Sequence, residues 1–513
     1  AFLATLLGKL AVLTTLLFEG TSSSSYEDLE KLVQVESDLS MVPIQPLYIS
    51  LLNSTTDQIA EILPLLSSKQ RQAFLDLDLW EKDHVDVNSF EYWIEVYSKV
   101  KDLELTQAFV SSDDFLLYLK SRINIHTFDT EDPMYPDHDD YFLTDDMLLL
   151  IEYSKEYRYP NELKFLIRNM YDKYGVENAY SLLFKLVNDS FAVIQERQYQ
   201  EKKNRQGELG FVDYYDALEK TYDFISFKQI ENFIIKKATI TPDLDLSSKN
   251  QSLHGSALNS FDASMESIYQ ELSKVTDEKR LAFLRFTFLR LINSTITLNE
   301  ALRGGSVELS RIGKVTKNYL ELGLEKVKSL RTFDADNELF EHFDFFDLYR
   351  IGKSLINLQK NKVKKALKKT PFDTNDYEYF LGAWWNSFLE NSDLPTPKVK
   401  TFGAALQSKQ VLNLVTYEFW KQEVSLFVAS LPFINSFFEM LSTLKEEGKL
   451  HDDFYLNYNV ENIDFESILI SSFINYDLGH FSGADVNKMG VTISELKVFF
   501  GKNFKKINDE YLI

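Results

Sequence analysis

Nine ionisable side chains crowd residues 129–146: Asp129, Glu131, Asp132, Asp137, His138, Asp139, Asp140, Asp145 and Asp146. Hard divalent cations are held by several oxygens converging from a loop. Carboxylates joined by an imidazole hold transition metals. Asp137, His138, Asp139 and Asp140 are therefore the candidate metal ligands, with His126 as a further imidazole, and a metal-dependent hydrolase is the chemistry they would serve. The spacing is not that of an EF-hand, because the central Gly and the closing Glu are absent. The plainer reading is a solvated acidic loop in which Thr144, Asp145 or Asp146 caps a following helix. Charge runs usually end this way, and the balance favours it.

A second polar constellation lies at 196–205, just after the apolar segment 182–194. Glu196, Lys203 and Arg205 are placed to form either an anion site or a structural ion-pair site near Gly207 and Gly210. Arg205 would grip an anionic ligand through its planar fork. Otherwise it bridges to a carboxylate on the 213–222 helix and locks a hairpin, and such networks are commoner than sites.

Other chemistry is thinly represented. Lysines at 360, 362, 364, 365, 368 and 369 make the one strongly basic run, suited to anionic lipid or an acidic partner, or simply to a solvated helix face. No H-E-x-x-H, G-x-S-x-G or G-x-x-x-x-G-K-[ST] occurs, and the absence of Cys removes thiol nucleophiles and thiolate zinc sites. Trp384 and Trp385, with Tyr377, Tyr379, Phe380 and Trp420, form an aromatic group that reads as core. No catalytic residue is assigned, the balance is against an enzyme, and no cofactor is expected beyond the divalent metal that the acidic loop would take.

The elements that must position these residues are helices. Gly and Pro are scarce, 18 and 11 of 513 residues, whereas a sheet-rich chain spends both on tight turns. With 40 Phe and 27 Tyr, the gaps between packed helices are expected to be filled by rings. The formal net charge of −23 opposes nucleic-acid binding, which needs a positive field. Leu163, Ile167, Met170 and Tyr174 follow helical spacing after Pro160 and stop at Gly175. Thr276 or Asp277 can cap a helix through Leu281, Leu284, Phe288 and Leu291. Residues 303–306 end one helix and open another. The apolar stretch 424–438 is core, broken by Pro432, and no strand pattern stands out. Segments 59–75 and 105–119 each read as a short helix, a Ser-capped turn and a second helix, a degenerate hairpin repeat of the kind that builds solenoids.

Three stretches together resemble a bacterial family known only as a domain of unknown function. They are 62–66 leading into 72–80, the segment 142–146 read as the entry to a helix, and Glu201-Lys202-Lys203-Asn204-Arg205 running into Leu209-Gly210-Phe211, Tyr214, Ala217, Leu218 and Tyr222. A fourth, 320–325, resembles a C-terminal segment of that family. The resemblance covers 30–330 and departs at Lys202, Glu208 and Val212, where Arg, Asp and Pro are expected. The first hairpin is similar in style to the helical hairpins of flagellar-switch scaffolds and of magnesium-transporter cytosolic domains, which implies helical stacking only. The family brings no activity that could be carried over.

The sequence therefore predicts an all-α chain of stacked helical hairpins in two halves. The expected parts are an apolar docking helix at 1–20, a helical-hairpin domain at 21–240, a linker at 241–260 and a helical domain at 261–513. The expected function is a cytoplasmic, non-enzymatic scaffold or adaptor that binds a protein partner or itself. The rivals are the hydrolase of the acidic loop and a peripheral membrane protein.

Overall fold

The structure, a computed structural model, describes residues 44–188, 190–239, 266–330, 338–374, 376–401 and 407–447, with Leu29, Val33, Leu39, Ser40, Val42, Asp464 and Phe465. The expected docking helix at 1–20 and linker at 241–260 lie outside these residues. The described chain is predominantly helical, with eighteen α-helices and seven short strands. In chain order the first part holds α1 (Ile44–Leu51), α2 (Thr56–Ile62), α3 (Ser68–Asp78), β1 (Trp80–Glu81), β2 (His84–Val85), α4 (Val87–Lys99), α5 (Leu103–Val110), α6 (Asp113–Arg122), β3 (Asn124–Thr127), β4 (Tyr141–Leu143), β5 (Leu149–Glu152), α7 (Pro160–Tyr174), α8 (Val176–Asn188) and α9 (Phe191–Glu208). The rest are α10 (Tyr214–Lys220), α11 (Phe227–Lys237), α12 (Glu266–Leu272), α13 (Glu278–Leu298), α14 (Gly305–Leu330), α15 (Leu339–His342), α16 (Phe345–Leu367), α17 (Gly382–Asp393), β6 (Lys398–Thr401), β7 (Gln407–Gln410) and α18 (Leu414–Glu446).

These residues fall into two compact units that interleave along the sequence. Unit 1 holds the described residues up to Lys220 together with Phe286–Gly313. Unit 2 holds those from Thr221 to Arg285 and from Lys314 onward.

In unit 1 the helices start where side chains can satisfy the free amides of a first turn. Thr55 and Ser67 each close a reciprocal capping box, with Gln58 and Gln70, and Asp86, Asp102 and Ser112 cap α4, α5 and α6. Both expected sequences of helix, Ser-capped turn and second helix are thus present, as α2–α3 and α5–α6. Pro160 opens α7, and Gly175 closes it at φ 74°, a conformation that suits a residue without a Cβ. The core is ring-rich: Phe90 stacks on Tyr118 at 4.7 Å and Tyr97 on Phe109 at 3.9 Å.

One expectation fails in unit 1. Thr144, Asp145 and Asp146 cap no helix. They form the turn between β4 and β5 in a three-stranded antiparallel sheet of order β3-β5-β4. The Thr144 amide donates to the Leu149 carbonyl at 3.0 Å, and the Leu148 amide donates to Asp146 Oδ1 at 3.1 Å. The central strand buries Leu149, Leu150 and Ile151, so it reads as an unbroken apolar run rather than an alternating one.

In unit 2, α14 and α16 touch backbone to backbone. A Cβ at Gly323 would run into the Leu348 carbonyl, and one at Gly352 into the Tyr319 carbonyl. Glycine is required on both sides of that crossing. The long α18 buries Tyr417, Trp420, Val424, Phe427, Leu431, Ile434 and Phe437 at helical spacing. It runs through Pro432 without ending, correcting the expected break. Pro432 lies on the exposed side, where water can reach a carbonyl deprived of its amide partner. Trp385 and Phe388 of α17 pack on Phe427 at 5.1 and 5.0 Å, so that part of the aromatic group is core, whereas Tyr377 and Tyr379 are exposed.

Candidate functional site

A cleft in unit 1 is built from three stretches far apart in sequence. α3 and the β1–β2 hairpin form one wall, and α9 with residues 211–214 forms the second. The end of α13 and the turn after it form the third. The space is about 110 Å³ and partly open, and apolar side chains and rings alternate around it with charged and polar ones.

The walls are joined by an ion pair between a buried carboxylate and a half-buried guanidinium. Arg205 of α9 donates from Nε and Nη2 to the two oxygens of Asp76 on α3, at 2.9 and 2.7 Å. Asp76 is 2% exposed, and the parallel fork leaves its charge answered. One residue on, the Gln206 amide donates to the Asp76 carbonyl at 3.1 Å. Asn293 and Thr297 of α13 tie down the third wall by donating to the carbonyls of Gly210 (2.6 Å) and Val212 (2.9 Å).

Lys202, one helical turn before Arg205, is treated differently. It is 6% exposed, and no carboxylate lies within ion-pair distance of it among the described residues. Its ammonium makes one hydrogen bond, to the Lys82 carbonyl at 3.0 Å, and stands over the rings of Trp80 and Tyr199 at 5.2 and 5.3 Å. Burial pushes its pKa down to about 8, against the smaller opposing pull of Asp213, Asp76 and Asp83. An ammonium has three donors, and among the described residues one of those on Lys202 has an acceptor.

The same cleft concentrates backbone strain. Among the described residues three non-glycine side chains sit at positive φ: Lys82 (61°), Met147 (59°) and Glu300 (49°). Lys82 and Glu300 both line the cleft. Such conformations cost about 1–3 kcal/mol each and persist where the surroundings enforce them. The hairpin turn at Lys82 is held from three sides, by Lys202, by Gln195 donating to the Asp83 carbonyl at 2.9 Å, and by Tyr215 donating to Asp83 Oδ1 at 3.1 Å. Arg303 borders the third wall. It spreads one Nη2 over the carbonyls of Leu77, Asp78 and Trp80 at 3.4, 3.2 and 3.3 Å. Beneath it Asp78 accepts from Tyr48 Oη and from Trp93 Nε1, and burial raises its carboxyl pKa despite both bonds.

Residues 9–411 match the model of a family described as a family of unknown function (DUF6178). The chain belongs to this family. No curated protein and no solved structure matches it. The DUF6178 match includes every residue of the cleft, and the stretches 72–80 and 201–214, which carry the sequence resemblance, are the ones that meet there. The fourth stretch, 320–325, contains the Gly323 of the helix crossing.

The residues singled out from sequence separate in space. Arg205 takes Asp76, a partner 129 positions away, in place of a carboxylate on the 213–222 helix. Lys203 takes that second role, bonding Asp216 of α10 at 2.9 Å. Glu196 joins neither and accepts from Gln200 at 2.9 Å. Asp137, His138, Asp139 and Asp140 are not gathered into a metal-binding set, and no such group of three or more occurs among the described residues. His138 instead donates from Nε2 to Glu152 Oε1 at 3.0 Å while its Nδ1 accepts from the Asp140 amide at 3.1 Å, and His126 Nε2 meets Glu152 Oε2 at 3.0 Å. Hydrogen bonding from His126, with less from His138, holds the Glu152 carboxyl below its ordinary range. In the lysine run, Lys360 caps α17 by donating to the carbonyls of Asp393 and Leu394 at 3.0 and 2.6 Å, and Lys364 pairs with Asp393 at 3.5 Å. Sequence marked Lys202 only as a departure from the Arg expected in the family, and it did not single out Lys82, Glu300 or Arg303 as site residues.

Proposed function

We propose that this protein is a binding protein whose unit 1 takes a small ligand bearing a negative group into the Lys202 cleft, the helical body serving as its frame. The observation that carries the reading is the buried Lys202 ammonium, answered by one carbonyl and no carboxylate. A lone charge in a low-dielectric interior is costly, and an isolated lysine would lower that cost by pairing. Perturbed groups of this kind inside a cleft mark functional sites. The two strained residues on the same walls support the reading independently.

Native mass spectrometry of the protein purified gently from its own cells tests it. The expected spectrum shows a small-molecule adduct that is absent from the Lys202→Met variant. A bare chain, or an adduct retained by the variant, sinks the reading. Added mass of a second protein instead supports the adaptor expectation drawn from the helical-hairpin pattern.

A further inference from the structure

We infer that the ligand of the Lys202 cleft is a small monocarboxylate on an apolar, ring-bearing body, held through its carboxylate by Lys202 and through its body by the rings of the cleft. This rests on the binding reading above and deepens it.

Charge sets the number of anionic groups. The charges that border the cleft have partners of different kinds. Asp76 is answered by Arg205. Asp213 accepts from Tyr199 Oη at 2.8 Å and the Tyr215 amide at 3.0 Å, with Lys203 at 4.0 Å. Arg303 is occupied by three carbonyls and faces the Asp78 charge. Among the described residues Lys202 is the buried cation of the lining that has no carboxylate at ion-pair distance, Asp213, Asp76 and Asp83 acting on it only from farther off, so it can take one anionic group directly. The exposed Glu81 and Glu300 on the lining oppose a second negative charge on the ligand. A dianionic phosphate would bring more charge than the site can answer, whereas a carboxylate brings one and can accept from the ammonium.

Shape and polarity set the body. Leu77, Phe211, Val212, Ile296 and Leu302 line the cleft beside Trp80, and a space of about 110 Å³ open on one side limits the buried part of the body to no more than a single ring. A ring lying on Trp80 or Phe211 gains apolar burial together with offset or edge contacts. The lowered pKa of Lys202 adds a signature: the ammonium must be protonated to hold the carboxylate, so affinity falls as pH rises through and above about 8.

Isothermal titration of the full chain at pH 7 with benzoate and phenylacetate, against benzamide, phenyl phosphate and inorganic phosphate, decides the matter. At least one aryl carboxylate should bind with its affinity lowered about tenfold to a hundredfold in Lys202→Met, the range for a charged hydrogen bond. Benzamide and both phosphates should bind more weakly. Lys202→Arg, which keeps the cation, should retain binding. The pH titration of the unaltered chain guards against a variant that fails to fold. If a phosphate binds best and depends on Lys202, the carboxylate class is overturned and the binding reading stands. If carboxylates bind but ignore both Lys202 and pH, the site itself is overturned. If none of the carboxylates binds, this inference falls, and the adduct measurement above decides the broader reading separately.

Discussion

Unit 1 holds two regions dense in ionisable groups, and they dispose of charge in opposite ways. The acidic segment around β4 is conspicuous in sequence, yet most of its charges face water or find a partner close by, the Oδ2 of Asp146 being the buried exception. Asp145 pairs with Arg168, Asp146 closes a turn, and Glu152 sits between two histidines. The cleft is inconspicuous in sequence, yet it buries a carboxylate with a perfectly placed guanidinium and, one helical turn away, an ammonium with almost nothing. Density of charge along a chain therefore says little about where unanswered charge ends up. Burial decides that, because water answers an exposed ion whatever its neighbours.

Three measurements bear on this contrast. The largest effect should come from Asp76→Asn, which takes the two charged hydrogen bonds of Arg205 from a fully buried carboxylate and, among the described residues, leaves the half-buried guanidinium only Glu201 at 3.6 Å. Urea unfolding should show a loss of about 3 kcal/mol, the range for losing charged hydrogen bonds to a buried carboxylate. A loss below about 1 kcal/mol would place this pair with the exposed ones and erase the distinction. Next comes Lys202→Met, followed across pH. The folded-state pKa of about 8 lies below the ordinary 10.5, so the destabilisation by Lys202 is fully present below pH 8 and fades as pH rises toward 10.5. Relative to the Met variant, the native chain should gain up to about 3 kcal/mol over that window. A flat difference would show that the ammonium is solvated after all. The smallest effect belongs to Glu152→Gln in the acidic sheet. His126 and His138 are more than a third exposed, at 56% and 42%, so thermal melts should shift by less than about 1 kcal/mol, and less again in high salt. A larger shift would mean that the sheet, too, depends on its charges.

Much of the helical architecture could be read from the chain, because its signals are local. Pro160 and Gly175 bracket α7, and Ser67 and Ser112 announce α3 and α6 within four residues of sequence. The sheet was hidden because Tyr141–Leu143 and Leu149–Glu152 are too short to display a period, and the central strand is buried on both faces. The cleft was hidden for a different reason. The partner of Arg205 lies 129 positions away, and no spacing rule reaches that far. Lys202 looked like one cation among several, since isolation is a property of surroundings. Lys82 and Glu300 adopt positive φ without the Gly or Asn that usually signals it. The charged stretch 201–205 did draw attention, but to Arg205 and Lys203, the two members whose charges are already answered.

The glycine crossing of unit 2 also limits how this chain can drift over evolutionary time. One residue inserted into α14 or α16 ahead of the crossing would turn the helix by about 100° and bring a bulky neighbour to the point where two backbones meet. Gly323 is flanked by Leu322 and Leu324, and Gly352 by Ile351 and Lys353, so no neighbour can serve as a substitute. The number of residues from each helix start to its glycine is thus expected to be held constant among relatives, even where the amino acids between change freely. Length, rather than composition, is the inherited quantity there.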